Sequence, residues 1–175
     1  MNKVLVVYKS KYGATEKYAG MLKEEFGCDI MDMKEYDNAV LKNYSRIIFA
    51  GGIYAGGISG ISTLRKNWNH IKDKKTAVFC VGASPFDEKA IEEVKKHSLK
   101  GDLEGVPLFY GRGAWDESRM NFKDRTLCKM LQKMVAKQDP SACEPWMKAL
   151  LSAVGEKCDW TDKKYLIPLW EYMAD

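Results

Sequence analysis

Lys3-Val4-Leu5-Val6-Val7-Tyr8-Lys9-Ser10-Lys11-Tyr12-Gly13-Ala14-Thr15 joins an apolar run to a short polar turn and then to a helical pattern. Val4 to Tyr8 are apolar without alternation, as expected of a strand buried on both faces. The turn and the helix start together make an anion cradle, because a helix N-terminus presents unpaired N–H groups and the positive end of its dipole. Ser10 and Thr15 add hydroxyl donors, and Gly13 lets the backbone come close to a ligand. One glycine is too few for a GxGxxG dinucleotide loop, and the GxxxxGK-Ser/Thr pattern of a Walker loop is missing. Hydroxyls in place of glycines suit one terminal phosphate better than a pyrophosphate.

The same alternation continues along the chain. Ala14, Tyr18, Leu22 and Phe26 repeat at four-residue spacing and predict a helix over 14–26, stopped at Gly27. Short strands are expected at Cys28–Met33, Arg46–Ala50, Thr76–Val81 and Val106–Tyr110, with amphipathic helices over 61–72 and 86–98 between them. Three of these runs end in Gly51-Gly52, Gly82-Ala83-Ser84-Pro85 and Gly111-Arg112-Gly113. Unbroken apolar strands alternating with helices imply a parallel sheet covered on both faces, with right-handed crossovers. Ligands of such sheets bind at the strand carboxyl ends, so the glycine- and hydroxyl-rich loops mark one edge as the site. The last third is more helical. Ser118–Lys137 is a long helical pattern with Met120, Leu127, Leu131, Met134 and Val135 expected inward; Pro145 starts another helix, and Pro168 is expected to kink or end a third. No linker or internal repeat divides the chain, so a single domain over 1–175 is expected, with a core of about 1–137 and a helical C-terminal extension over 138–175.

The 175 residues, 46% hydrophobic and 30% charged, are enough for a sizeable core and do not have the composition of a disordered chain. No apolar stretch is long enough to span a bilayer and no signal-peptide pattern opens the chain, so a cytoplasmic location is expected. The five cysteines have neither CxxC nor zinc-site spacing and read as free thiols, Cys80 within an apolar strand; no metal site is expected. His70 and His97 lie in polar helical stretches and read as surface residues. The net charge of +4 is spread out; short basic spots such as Lys72-Asp73-Lys74-Lys75 read as solvated faces, and nothing points to nucleic acid. A positive balance does favour an anionic membrane surface or an acidic partner over a basic one. Trp146, Trp160 and Trp170 fall at helical spacing and read as packing anchors. No nucleophile–base pair, metal cluster or paired carboxylates are apparent, which argues against hydrolase or zinc chemistry.

Tyr8 to Lys17 resembles the phosphate loop of flavodoxin-like proteins, and Tyr44-Ser45-Arg46-Ile47-Ile48-Phe49-Ala50-Gly51-Gly52-Ile53-Tyr54-Ala55-Gly56 is similar to the third strand and following loop of the subset that includes menaquinone-dependent protoporphyrinogen oxidase. Phe109 to Gly113, up to the helix beginning near Arg119, is similar in style. The resemblance covers about residues 3–135. It implies an α/β fold with an open five-stranded parallel sheet of order 2-1-3-4-5, helices on both faces and extra C-terminal helices. It also implies flavin mononucleotide (FMN) as cofactor. Carried over by position, Ser10, Lys11, Tyr12, Gly13, Ala14 and Thr15 surround the flavin phosphate, Lys11 and Tyr12 through their backbone. Gly51, Gly52, Ile53, Tyr54, Ala55 and Gly56 approach the isoalloxazine, with Tyr54 as the stacking ring. Gly82, Ala83, Ser84, Pro85 and Phe86 offer backbone N–H groups to the pyrimidine end, and Arg112 and Trp115 are candidates on the substrate side. Two positions depart from the family pattern: Tyr12 replaces the usual small hydroxyl residue, and Gly52 replaces a residue that often carries a hydroxyl.

The hard chemistry would then belong to the flavin, and the catalytic assignment stays empty. Two functions are implied: an FMN oxidoreductase acting between a small aromatic, quinone or porphyrinogen-type substrate and an acceptor, or a flavodoxin-type carrier between redox protein partners. Flavodoxin carriers as a family are markedly acidic, so the basic balance here and the added helices favour the enzyme. A response-regulator-like module sharing only the sheet is a third reading; it needs an acidic cluster after the first strand, where this chain has Lys9-Ser10.

Overall fold

In a computed structural model that describes residues 3–175, the opening apolar run forms strand β1 (Val4–Lys9) and the helical pattern forms α1 (Ala14–Phe26). Residues 1 and 2, included in the expected domain, lie outside the described residues. The chain continues through β2 (Asp29–Asp32), β3 (Arg46–Tyr54), β4 (Gly57–Ile58), α2 (Ile61–Ile71), β5 (Lys75–Gly82), α3 (Glu88–Ser98) and β6 (Leu108–Arg112). Strands β2-β1-β3-β5-β6 pair in that order and all run parallel. With the short antiparallel β4 set aside, this is the expected order 2-1-3-4-5. The register aligns Lys9 with Gly51 and Gly82 with Arg112, so the strand carboxyl ends share one edge.

Both faces of the sheet are covered. Val4, Val6, Ile48, Ala77 and Phe79 face Tyr18 and Leu22 of α1, whereas Leu5, Val7, Ile47, Phe49, Val78 and Cys80 face Leu64 and Ile71 of α2 and Val94 of α3. Odd and even residues of one strand thus enter different cores, because side chains alternate across a sheet. This double burial is why the central strands contain no polar alternation. Burial also raises the Cys80 thiol to about 12, as an inert core residue requires.

Beyond β6 the chain adds β7 (Ala114–Asp116), α4 (Phe122–Ala136), α5 (Pro145–Ser152), β8 (Lys157–Asp159) and α6 (Ile167–Ala174). β7 and β8 form a separate antiparallel ribbon. Two expectations need correction here. Leu127 and Met134 of α4 are exposed, not inward: the helix buries only the side carrying Gln132 and Val135, and these two lie on the opposite face. Pro168 does not end a helix but sits in the first turn of α6, where the missing N–H costs nothing. The C-terminal extension packs onto the core. Leu166, Leu169 and Met173 are fully buried against the α1 side of the sheet, and Trp170 stacks on Phe26 at 4.2 Å. The last helix completes a layer that α1 alone would leave half open. His70 and His97 are exposed.

Candidate functional site

The turn after β1 is shaped by Gly13, whose φ of 100° places it in the left-handed region at the N-cap of α1. Its N–H donates to Ser10 Oγ at 3.1 Å, and its carbonyl accepts the first helical bond from Lys17 N. No side chain caps the helix, so the amides of Ala14, Thr15 and Glu16 project from the helix end without intrahelical partners. Thr15 is buried beside them. The Tyr12 hydroxyl turns the other way: it donates to Asp124 and accepts from Asn121 N at 3.3 Å. Lys11 pairs with the same carboxylate, and the Lys11 and Tyr12 hydrogen bonds hold Asp124 below the usual carboxylate range. Two side chains of the loop are thereby spent on fastening it to the start of α4, leaving its backbone facing outward.

Residues 51–56, expected as a loop, are largely strand. β3 runs on through Gly51 and Gly52 to Tyr54 and turns back into β4 at Ala55 (φ 49°) and Gly56 (φ 77°). Gly51 is needed because the returning chain lies directly on it, whereas Gly52 lies under the ring of Tyr54 from its own strand. A Cβ at Gly51 would stand 2.0 Å from the Ser59 carbonyl oxygen, and one at Gly52 would stand 2.8 Å from the Tyr54 ring. The Tyr54 ring thus occupies the space that a hydroxyl residue at 52 would fill, with the Lys11 ammonium 5.5 Å from its centroid. Tyr54 is 41% exposed, and burial of its hydroxyl raises the phenol pKa, so it stays protonated at neutral pH.

The segment 82–86 completes the edge. Tyr110 donates its hydroxyl to the carbonyls of Gly82 and Ser84, and Arg112 Nε donates to the Ala83 carbonyl at 3.0 Å. The carbonyls are consumed, while the amides of Ala83, Ser84 and Phe86 have no partner among the described residues. Phe86 is 60% exposed, and its ring centre lies 6.0 Å from that of Tyr110. The fold therefore brings 10–15, 51–56 and 82–86 to one sheet edge. Arg112 does not join them as a free cation, since its guanidinium lies 3.9 Å over the Trp160 ring. Trp115 lines a cavity of about 300 Å³ together with Tyr12, Ala14 and Arg119. Nothing in the sequence marked Asp124 or Tyr110 for these contacts, which join stretches distant in the chain; Trp160, expected as a packing anchor at helical spacing, lies in no helix but after β8 and packs on the Arg112 guanidinium.

A family model described as "Flavodoxin domain" matches residues 5–142. The chain belongs to the flavodoxin domain family. No curated protein matches this flavodoxin-domain chain. Solved structures similar to it include a WrbA-like flavodoxin from Agrobacterium tumefaciens, 22% identical with a TM-score of 0.48, the match covering 71% of this chain and 88% of that one. The Trp repressor binding protein from Bacillus subtilis is 19% identical with a TM-score of 0.45, over 63% of this chain and 85% of that one. A flavoprotein from Lactobacillus acidophilus, solved in complex with FMN, is 16% identical with a TM-score of 0.45, over 64% and 93%. FMN is the cofactor this family implies, and the residues of this flavodoxin domain fit it. The uncapped end of α1 has amides that can donate to a phosphate, the three unpaired amides of 83–86 can donate to a ring edge, and Tyr54 presents an exposed aromatic side chain at the same sheet edge.

Proposed function

We propose that this flavodoxin domain binds FMN across the 10–15, 51–56 and 82–86 segments and works as an FMN-dependent oxidoreductase on a small aromatic substrate of the quinone or porphyrinogen type. The observation that carries the reading is the pair of exposed aromatic side chains, Tyr54 at the end of β3 and Phe86 on the loop after β5, at the edge that holds the uncapped helix. Exposed rings beside polar backbone donors suit a flat aromatic partner, because they supply apolar area without closing the site. Bound FMN supplies the electron or hydride chemistry. The protein contributes the rest: the amides at the α1 N-terminus hold the phosphate, the amides of 83–86 orient the ring edge, and protonated Tyr54 offers a hydrogen-bond donor. No side chain of the edge is placed as a general base, which agrees with chemistry that resides in the cofactor.

A carrier function between redox proteins is the second reading, favoured by the outer face of α4. Leu127, Met130 and Met134 are exposed there among Lys123, Lys133 and Lys137, a surface that suits an acidic protein partner. One pair of assays separates the two. Purified protein should show flavin absorption, and the FMN-loaded form should reduce a soluble quinone or oxidise a porphyrinogen much faster than free FMN does. If it shows no such advantage yet passes electrons rapidly to an acidic redox protein, the enzyme reading is wrong and the carrier reading stands.

A further inference from the structure

Helix α4 belongs to neither sheet core: it packs against α5 and buries only the side that carries Gln132 and Val135. The opposite side faces solvent along the whole helix. Phe122 is 85% exposed there, and Leu127, Met130 and Met134 are each more than half exposed. At about 3.6 residues per turn, Lys123, Lys129, Lys133 and Lys137 fall on the same side, between these apolar residues, and all four are exposed. The side has no carboxylate, since the one acid of the helix, Asp124, is held by Lys11 and Tyr12. A cluster of large exposed apolar side chains marks a contact surface. A second copy of the chain is a poor occupant, because a two-fold contact would set lysines against lysines. A protein interface is a poor match as well. Such interfaces have an apolar centre inside a polar rim and are depleted in lysine, whereas here lysines and apolar residues alternate around one convex ridge. The headgroup layer of a bilayer accommodates both at once. Apolar side chains reach the acyl boundary, lysine stems lie along them, and the ammonium groups stay among the phosphates. We infer that the outer face of α4 docks the protein on an anionic lipid surface. The use of that docking rests on the quinone reading above. Asp124 of α4 holds Lys11, and the amide of Asn121, just before Phe122, donates to the Tyr12 hydroxyl at 3.3 Å. The docked helix is thus the one fastened to loop 10–15, and it would hold that loop close to the phase in which an apolar quinone dissolves.

The test is co-sedimentation of the full chain, with and without FMN, with vesicles of phosphatidylcholine alone or mixed with phosphatidylglycerol. Wild type should bind the mixed vesicles and not the neutral ones, whether or not FMN is present, and added salt should weaken the binding. Lys133→Gln combined with Lys137→Gln should bind about 25-fold more weakly, about fivefold for each lysine near a charged surface. Met130→Ser combined with Met134→Ser should also bind more weakly, with the larger loss in high salt, where apolar contact is what remains. Lys89→Gln combined with Lys96→Gln, on exposed positions of α3, makes the same change in net charge and should bind as wild type does. Absence of binding to the mixed vesicles, or equal losses in the two lysine pairs, overturns the inference. It is equally overturned if the vesicles are ignored while the α4 lysine pair slows electron transfer to an acidic redox protein, since the face is then a protein interface. Flavin absorption is read separately: protein that docks on the vesicles yet takes up no FMN overturns the FMN reading and leaves the docking surface standing.

Discussion

Gly13 and Thr15 show how few atoms the phosphate end depends on. At φ 100° any side chain at position 13 is strained, and a Cβ would also project toward Arg119. Gly13→Val should therefore displace the first turn of α1 from its anion-binding geometry, and the purified variant should be nearly colourless where wild type is yellow. Thr15→Ala removes one hydroxyl and leaves the helix amides in place, so it should weaken FMN by about tenfold with little change in melting temperature. Absorption spectra of the two variants after purification in saturating FMN provide the measurement; full colour in Gly13→Val would locate the phosphate elsewhere. Gly51 and Gly52 were legible as a glycine pair but not as the floor of a hairpin. The approach of Ser59 that requires Gly51 is made only when the chain turns back after Tyr54.

The β7–β8 ribbon is the element that the strand–helix pattern did not foretell. Each strand is three residues long, too short for an alternation to be read, and the two pair across forty intervening residues. The ribbon is fastened to α1 by Asp159, whose carboxyl burial would raise but hydrogen bonds from Lys17 and Thr161 lower, to about 2. The unfolded value is 3.8, so this contribution to stability is complete above about pH 4 and disappears as the pH falls through about 2. Asp159→Asn should be less stable than wild type near neutral pH, and the two unfolding curves should converge on acidification. A gap that persisted unchanged at pH 2 would mean that the ion pair does not hold the ribbon. The side chains are about half exposed, so the effect is small and should shrink in high salt.

Across the whole molecule, the C-terminal helix closes the core. Leu169 and Met173 are fully buried among Val4, Ile48 and Ala77, on the face that α1 covers only in part. Leu169→Ala should cost about 2–5 kcal/mol in denaturant unfolding, the usual range for a leucine truncated in a filled core, although it lies far from the candidate site. A cost under 1 kcal/mol would mean that α6 is dispensable. The apolar spacing of Leu166, Leu169 and Met173 was visible in the sequence, but not which surface it covered. No helix among the described residues is long and apolar enough to cross a membrane.

Sequence by itself determined the parallel sheet, its doubly buried strands and the edge that carries the ligand loops, because unbroken apolar runs and an uncapped glycine turn are local signals. It also contained the three segments 10–15, 51–56 and 82–86, each marked by its own glycines and hydroxyls. Tertiary structure alone decided that Lys11 and Tyr12 are tied to Asp124 and that Arg112 is stacked on Trp160. Which charges are satisfied depends on distances between residues remote in the chain, and only the folded molecule fixes those.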